Sequence, residues 1–192
     1  MNAIAALLVP LAGLAIALGC ESSSNAQDAG AKEGGHKMAV AKIEPSKASA
    51  TQPANGQPKG EIMFHQMGDK VHITGEISGL KPNSKHAIHI HEKPDLSAPD
   101  LMSTGGHYNP DKHIHGGPTT SPVHAGDLGN LEADDKGVAK MDLTVDNISL
   151  GGAKNDVVGK PVIIHAKEDD YKTQPTGNAG GRIGGGIIEM SK

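Results

Sequence analysis

The chain has 192 residues, enough for one substantial domain and a tail, and its net charge of −4 gives no indication of a nucleic-acid partner. With three aromatic residues and 26 glycines, the core must come from aliphatic side chains, and an all-β domain with long loops is favoured. Cys20 is the single cysteine. Residues 21–192 therefore exclude an intrachain disulfide, a thiol nucleophile and a cysteine-ligated metal, and leave His, Asp and Glu as ligands.

The N-terminal segment predicts export. Residues 3–19 carry no charge and end at Cys20, which is typical of a secretory signal. The run Ala17-Leu18-Gly19-Cys20 resembles a bacterial lipoprotein lipobox, which implies cleavage before Cys20 and a lipid on its thiol. Plain secretion and an uncleaved anchor are the alternatives, since 17 apolar residues only reach the lower limit for spanning a membrane. We therefore expect a signal over 1–19, a polar tether over 20–36 and a domain over 37–192, in the periplasm or cell envelope.

Strand signals fill the predicted domain, and no segment predicts a helix. Apolar residues recur at strand spacing over 38–43, 60–65, 71–77, 85–92, 127–133, 138–145, 161–165 and 182–190. Two long loops without periodicity, 93–126 and 166–181, interrupt them, and loops of this length are usually functional. The sequence predicts an eight-stranded antiparallel barrel or sandwich with two functional loops.

Histidines concentrate between residues 86 and 127, which hold seven of the 11 in the chain. His89 and His91 are two apart, so on a strand both imidazoles point to one face. The other candidate ligands are His107, His115, His124, Asp127 and His165. These groups exceed the needs of one four-coordinate metal, whereas two metals sharing a bridging histidine would use them all. The alternative is a set of unrelated histidines, as we expect for His65 and His72 on early strands.

Five segments carry a resemblance to a known family. They are HAIHIHE at 86–92, GHYNP at 106–110, HGGP at 115–118, HAGDLGN at 124–130 and GNAGGR at 177–182. In order and spacing they resemble the copper,zinc superoxide dismutases, and the GHYNP form is similar to bacterial exported members. The resemblance spans residues 37–192 and implies an eight-stranded Greek-key barrel.

The resemblance also implies a role for each matching residue. Copper would be held by His89, His91, His107 and His165, and zinc by His107, His115, His124 and Asp127, with His107 bridging. Asp169 would link His89 to His115, and Arg182 would receive the superoxide anion. His86 would brace its strand, and His113 matches no ligand position and is expected to be exposed.

The implied activity is conversion of superoxide to oxygen and hydrogen peroxide by Cu(II)/Cu(I) cycling, with Arg182 and the zinc-supported His107 as catalytic residues. His107 would take a proton and deliver it to the departing peroxide. A homodimer is a further expectation, with membrane contact only through the lipid on Cys20. The alternative is a copper- and zinc-binding or delivery protein without catalysis, which the full ligand set and Arg182 disfavour.

One departure from the family is the missing disulfide, whose two cysteine positions correspond to Leu101 and Gly185. A native disulfide typically contributes about 2–4 kcal/mol. We expect a packed Leu101 to substitute in part. We also expect metal binding to become the main constraint on the loop 93–126, so that metal removal lowers stability markedly.

Overall fold

The computed structural model describes residues 37–192. The expected signal segment, the tether and Cys20 lie outside the described residues. Among residues 37–192, no helix combines the length and the apolar character needed to cross a membrane.

Between residues 37 and 192, eight antiparallel strands form one sheet. In chain order they are β1 (Met38–Pro45), β2 (Lys59–Met67), β3 (Lys70–Ser78), β4 (Lys85–Ile90), β5 (Asp127–Glu132), β6 (Ala139–Val145), β7 (Pro161–His165) and β8 (Arg182–Met190). In space their order is β5-β4-β7-β8-β1-β2-β3-β6. Strands β5 and β6 stand at the two ends of this order and follow each other in the chain, so the sheet curls into a nearly closed barrel. The fold class predicted from the sequence is confirmed.

The barrel has two kinds of wall. In β1, buried Ala39, Ala41 and Ile43 alternate with outward residues, as expected for a strand with one face in water. All five residues of β7 are buried, and so are the last five of β4. Both faces of this wall are therefore covered, and the covered outer side is where His89 lies, since its neighbours Ile88 and Ile90 join the core.

One short helix was not expected from the sequence. Helix α1 covers Lys47–Ala50, and its N-cap Ser46 accepts a hydrogen bond through Oγ from the Ser49 N–H at 3.0 Å. Further 3₁₀ turns cover Pro53–Asn55 and Met102–Thr104. Segments of one turn are too short to show a helical period in the sequence, which is why no helix was predicted there.

Candidate metal centre

Strands β4, β7 and β8 bring the ends of distant segments together. His89 pairs with Ile163 of β7, and His165 at the end of β7 pairs with Arg182 at the start of β8. His91 lies just beyond β4 and forms an isolated bridge with His107 of the first long loop. Groups up to 93 positions apart in the chain (89 and 182) therefore meet at one edge of the barrel.

His86 supports this edge from inside the structure. Its Nδ1 donates to the carbonyl of His165 at 2.8 Å, and its Nε2 lies 2.8 Å from Ser84 Oγ. The ring is buried. These contacts tie β4 to the end of β7, which fits a bracing role.

Four buried histidines form the first cluster: His89, His91, His107 and His165, with one ring nitrogen of each lying within 4.8 Å of the others. Two of these rings are oriented by backbone carbonyls. His91 Nδ1 donates to Gly105 O at 3.0 Å, and His165 Nδ1 to Gly180 O at 3.3 Å. Their Nε2 atoms face each other at 3.3 Å. The two hydrogen-bonded Nδ1 atoms carry the ring protons, so the two Nε2 atoms present their lone pairs to the same point.

The other two rings of this cluster are oriented by carboxylates. His89 Nε2 donates to Asp169 Oδ2 at 2.8 Å, and His107 Nδ1 lies 2.9 Å from Asp127 Oδ1. Their second nitrogens, His89 Nδ1 and His107 Nε2, are buried without a hydrogen-bond partner. A buried nitrogen without a partner is costly unless something binds it.

The second cluster surrounds Asp127. Its Oδ1 lies 2.9 Å from His107 Nδ1, 3.0 Å from His115 Nδ1 and 3.3 Å from His124 Nδ1. The four residues whose ligand atoms all lie within 4.8 Å of one another are His89, His107, His115 and Asp127. This set includes His89 and leaves out His124. His124 Nδ1 is nevertheless buried, has no hydrogen bond and faces the same carboxylate oxygen. We assign His124 to this cluster because its free nitrogen points there, whereas His89 Nδ1 points to the first cluster.

Asp169 joins the two clusters. Its Oδ2 accepts from His89 Nε2 at 2.8 Å and its Oδ1 from His115 Nε2 at 2.9 Å. Asn130 holds the Asp169 backbone on both sides, with Oδ1 accepting from its N–H at 2.7 Å and Nδ2 donating to its carbonyl at 3.0 Å. Gly177 covers the carboxylate with φ of 67°, and a Cβ there would overlap Asp169 Oδ1. Carboxylates behind ligand histidines fix the tautomer and ring angle.

Arg182 is held by the first long loop. Its Nη1 donates to Leu101 O at 2.8 Å and Thr104 Oγ1 at 2.6 Å, and its Nη2 donates to Gly105 O at 2.6 Å. The same Gly105 carbonyl accepts from His91, so it links the guanidinium to the first cluster. The sequence-based assignment gave these three residues no such role. Leu101 and Gly105 accept through backbone carbonyls, which leave no side-chain pattern to detect, and a single threonine hydroxyl such as that of Thr104 forms no pattern either.

Burial and neighbouring charges set the protonation of the clusters. Burial lowers the pKa of His89, His91 and His165, and that of His107 to about 4. Burial also lowers the pKa of His115, but its hydrogen bonds to Asp127 and Asp169 outweigh this and raise it to about 9. Burial opposes ionisation of both aspartates, yet the histidine hydrogen bonds hold their pKa values far below the usual range.

This donor set fits copper and zinc. Imidazole nitrogens suit both metals, and a site of three imidazoles and one carboxylate suits zinc. The buried nitrogens without a hydrogen bond, His89 Nδ1, His107 Nε2 and His124 Nδ1, are the atoms that a metal would satisfy. His107 presents Nδ1 to the second cluster and Nε2 to the first, as a bridging ligand must.

Of the three histidines predicted to be exposed or incidental, His65 lies partly buried on β2. His113 is exposed, with Nδ1 donating to Val123 O at 3.1 Å. His72 lies on the outer face of β3, where its Nε2 is 2.9 Å from Asp142 Oδ1.

Comparison with known proteins identifies relatives over most of the chain. The family model for copper/zinc superoxide dismutase matches residues 58–188. An extracellular Cu-Zn superoxide dismutase of Drosophila melanogaster is 45% identical over 145 residues, covering 71% of this chain and 78% of the relative. A Cu-Zn superoxide dismutase of Paramecium bursaria Chlorella virus 1 is 41% identical over 150 residues, covering 75% and 79%. The crystal structure of the clock protein EA4 superposes with a TM-score of 0.68 at 38% identity, over 79% of this chain and 93% of that one.

Proposed function

The chain belongs to the copper/zinc superoxide dismutase family, and we propose that it disproportionates superoxide with one copper and one zinc ion in the buried clusters. The observation that carries this proposal is the sharing of His107. Its two nitrogens face two adjoining donor sets, both of which are otherwise complete within the barrel and its loops.

The orientation of the rings supports a proposal for the ligand atoms. Copper would be held by His89 Nδ1 and by Nε2 of His91, His107 and His165. Zinc would be held by Nδ1 of His107, His115 and His124 and by Asp127 Oδ1. Bound copper supplies one-electron exchange with superoxide, and zinc has no redox role. Asp169 accepts from Nε2 of both His89 and His115, so with metals bound these two nitrogens would carry the protons and the two Nδ1 atoms would be the ligands.

Arg182 would bind and orient the substrate. Superoxide is a small anion, and the chain's net charge of −4 does not attract it, so attraction must be local. Arg182 is the single arginine of the chain, and three oxygens of residues 101–105 fix its guanidinium. A fixed, planar guanidinium aligns an anion better than a mobile ammonium does. His107 Nε2, buried in the first cluster without a hydrogen-bond partner, is the atom that would hold the proton for the departing product.

A metal and activity assay tests the function. Purified protein is analysed for copper and zinc, and superoxide decay is followed for the parent, Arg182→Ala, Arg182→Lys and Lys140→Ala. We expect Arg182→Ala to lose about 10- to 1,000-fold in rate at unchanged metal content, because electrostatic guidance contributes on that scale. Arg182→Lys should fall between. Lys140 lies exposed on β6. Lys140→Ala removes the same charge as Arg182→Ala and should match the parent in rate.

The rival function is copper and zinc binding without catalysis. Fully metallated parent protein that leaves superoxide decay at the uncatalysed rate would establish the rival. Protein that binds neither metal stoichiometrically would overturn both.

Export and anchoring form a separate proposal. The Drosophila relative is named as extracellular, which fits an exported protein. The finer proposal, a lipid on Cys20 in the periplasm or cell envelope, is supported by the uncharged run 3–19 and the polar segment after it. Cys20→Ser should move the protein from the membrane fraction to the soluble exported fraction and abolish labelling with a radioactive fatty acid. Labelling that persists would contradict the anchor.

Self-association is the last element of the proposal. The resemblance implies a homodimer, and the proposal extends that assembly to this chain. Sedimentation velocity over a range of concentrations should give the mass of two chains, and a mass of one chain at all concentrations would contradict it.

A further inference from the structure

A patch on the outer surface of the barrel combines methionine and histidine side chains, none of which belongs to the buried clusters. Met38, Met63 and Met67 are three of the chain's seven methionines, and each is 42–43% exposed. His65 and His72 lie among them, both only partly buried. We call these five residues the Met/His patch. It shares no residue with the metal centre.

Strand register brings the patch together. His65 of β2 is paired with Met38 of β1 on one side and with His72 of β3 on the other. Directly paired residues on adjacent strands lie about 5 Å apart. Met63 and Met67 stand two positions before and after His65 on β2, and so share its outward face at about 7 Å spacing. Flexible methionine side chains can span that distance to the imidazoles.

Asp142 prepares one histidine to act as a ligand. His72 Nε2 lies 2.9 Å from Asp142 Oδ1, with the His72 side chain 32% exposed. A neutral imidazole that donates Nε2–H to a carboxylate keeps its lone pair on Nδ1. This carboxylate–histidine arrangement recurs behind metal-bound histidines. It parallels the contact between Asp169 and His89 in the buried centre.

We propose that the Met/His patch is a surface site for a soft monovalent metal, Cu(I). Thioether sulfur is a soft ligand that selects Cu(I), and imidazole also suits copper, whereas neither favours Mg²⁺ or Ca²⁺. Ligands would be drawn from the thioethers of Met38, Met63 and Met67 and the imidazoles of His65 and His72. Asp142 contributes a nearby negative charge, and Lys70, paired with Met67, is the cation at the opposite end.

Silver(I), a redox-inert probe with the same ligand preference, tests the site by NMR. The full chain carries Cys20→Ser so that no thiol competes, has copper and zinc already bound, and is labelled at the methionine methyl groups. Titration with Ag⁺ should shift the Met38, Met63 and Met67 signals together. The signals of buried Met141 and of exposed Met102 and Met190 should stay in place, and they serve as internal controls.

Matched variants tie the binding to the patch. Competition against a chromophoric Cu(I) chelator, under reducing and anaerobic conditions, should detect a further equivalent of Cu(I) beyond the buried copper. Met63→Leu/Met67→Leu and His72→Gln should lose that equivalent, while Met102→Leu should keep it. All three variants should retain dismutation, because the patch faces away from the barrel core. Absence of a further equivalent, or equal loss in Met102→Leu, would overturn the proposal without touching the proposed function.

Discussion

At the scale of single residues, one ring nitrogen of several buried histidines is hydrogen-bonded to the protein, and the other is available as a ligand. Asp169 forms such a bond with two rings at once, because its two oxygens receive His89 and His115. Its own backbone is clamped by Asn130, so the carboxylate cannot follow a ring that moves. Ring orientation at both clusters therefore depends on one aspartate.

Replacing Asp169 tests that dependence. Asp169→Asn keeps the volume but lets the amide accept only one of the two N–H groups, so we expect zinc affinity to fall about 10- to 100-fold. Affinity is measured by competition with a chromophoric zinc chelator. The control is Asp170→Asn next to it, where the carboxylate bonds only to Lys172 and Thr173. Equal losses in both variants would refute a specific role for Asp169.

His115 predicts a proton count for zinc loading. Its pKa of about 9 means that below pH 9 it donates from both nitrogens, to Asp127 and Asp169. Zinc on Nδ1 must displace one of these protons, so zinc affinity should rise with pH up to about 9 and level off above it. Calorimetry at pH 7 in two buffers of different protonation enthalpy should show proton release. Zinc binding without proton exchange at pH 7 would contradict this protonation state.

At the scale of elements, the first long loop is fastened to the barrel without a disulfide. Leu101 is buried and adopts φ of 59°, and its Cδ1 lies 3.5 Å from where a Cβ on Gly185 would stand. Such a Cβ would also collide with Ile163 Cδ1 at 2.7 Å. Because Gly185 has no side chain, the Leu101 side chain can pack close to the β8 backbone at this position. The Leu101 carbonyl meanwhile receives Arg182.

Truncating this leucine should therefore affect both stability and catalysis. Leu101→Ala should lower the free energy of unfolding by about 2–4 kcal/mol, as is usual for buried leucine. It should also reduce dismutation, because the loop carrying the three acceptors of Arg182 loosens. Chemical denaturation and superoxide decay measure the two effects. Met102→Ala, at a side chain 60% exposed, is the neighbouring control and should change neither.

At the scale of the whole molecule, metal binding and folding are coupled. Three buried ring nitrogens have no hydrogen bond in the folded chain, and their burial is costly unless a metal binds them. The unfolded chain has no such arrangement, so a metal binds the folded state preferentially.

Zinc removal should consequently lower the thermal midpoint. At free zinc about 1,000-fold above its dissociation constant, the stabilisation is about 4 kcal/mol, which corresponds to roughly 10 °C for a domain of this size. Differential scanning calorimetry with zinc and with a chelator measures it. Equal midpoints would show that Leu101 and the barrel fix the first loop unaided.

The sequence by itself determined the eight strands, because apolar residues recur at strand spacing in them, most clearly in β1 to β3. It also determined which histidines are candidate metal ligands. The spacing of His89 and His91 alone makes them candidate ligands on one strand face. The division of the ligands between copper and zinc follows from the family resemblance and stays a proposal. Cys20 and the tether lie outside the described residues, so their roles also stay predictions.

Only the tertiary structure decided which nitrogen of each ring is free and what holds Arg182. For His91, His165 and Arg182 those outcomes depend on Gly105, Gly180 and Leu101, whose backbone carbonyls accept hydrogen bonds from 14, 15 and 81 positions away. Every residue has such a carbonyl, so side-chain patterns in the sequence carry no sign of it. The Met/His patch was hidden for a related reason, because the register between β1, β2 and β3 sets its spacing and is fixed only when the barrel is formed.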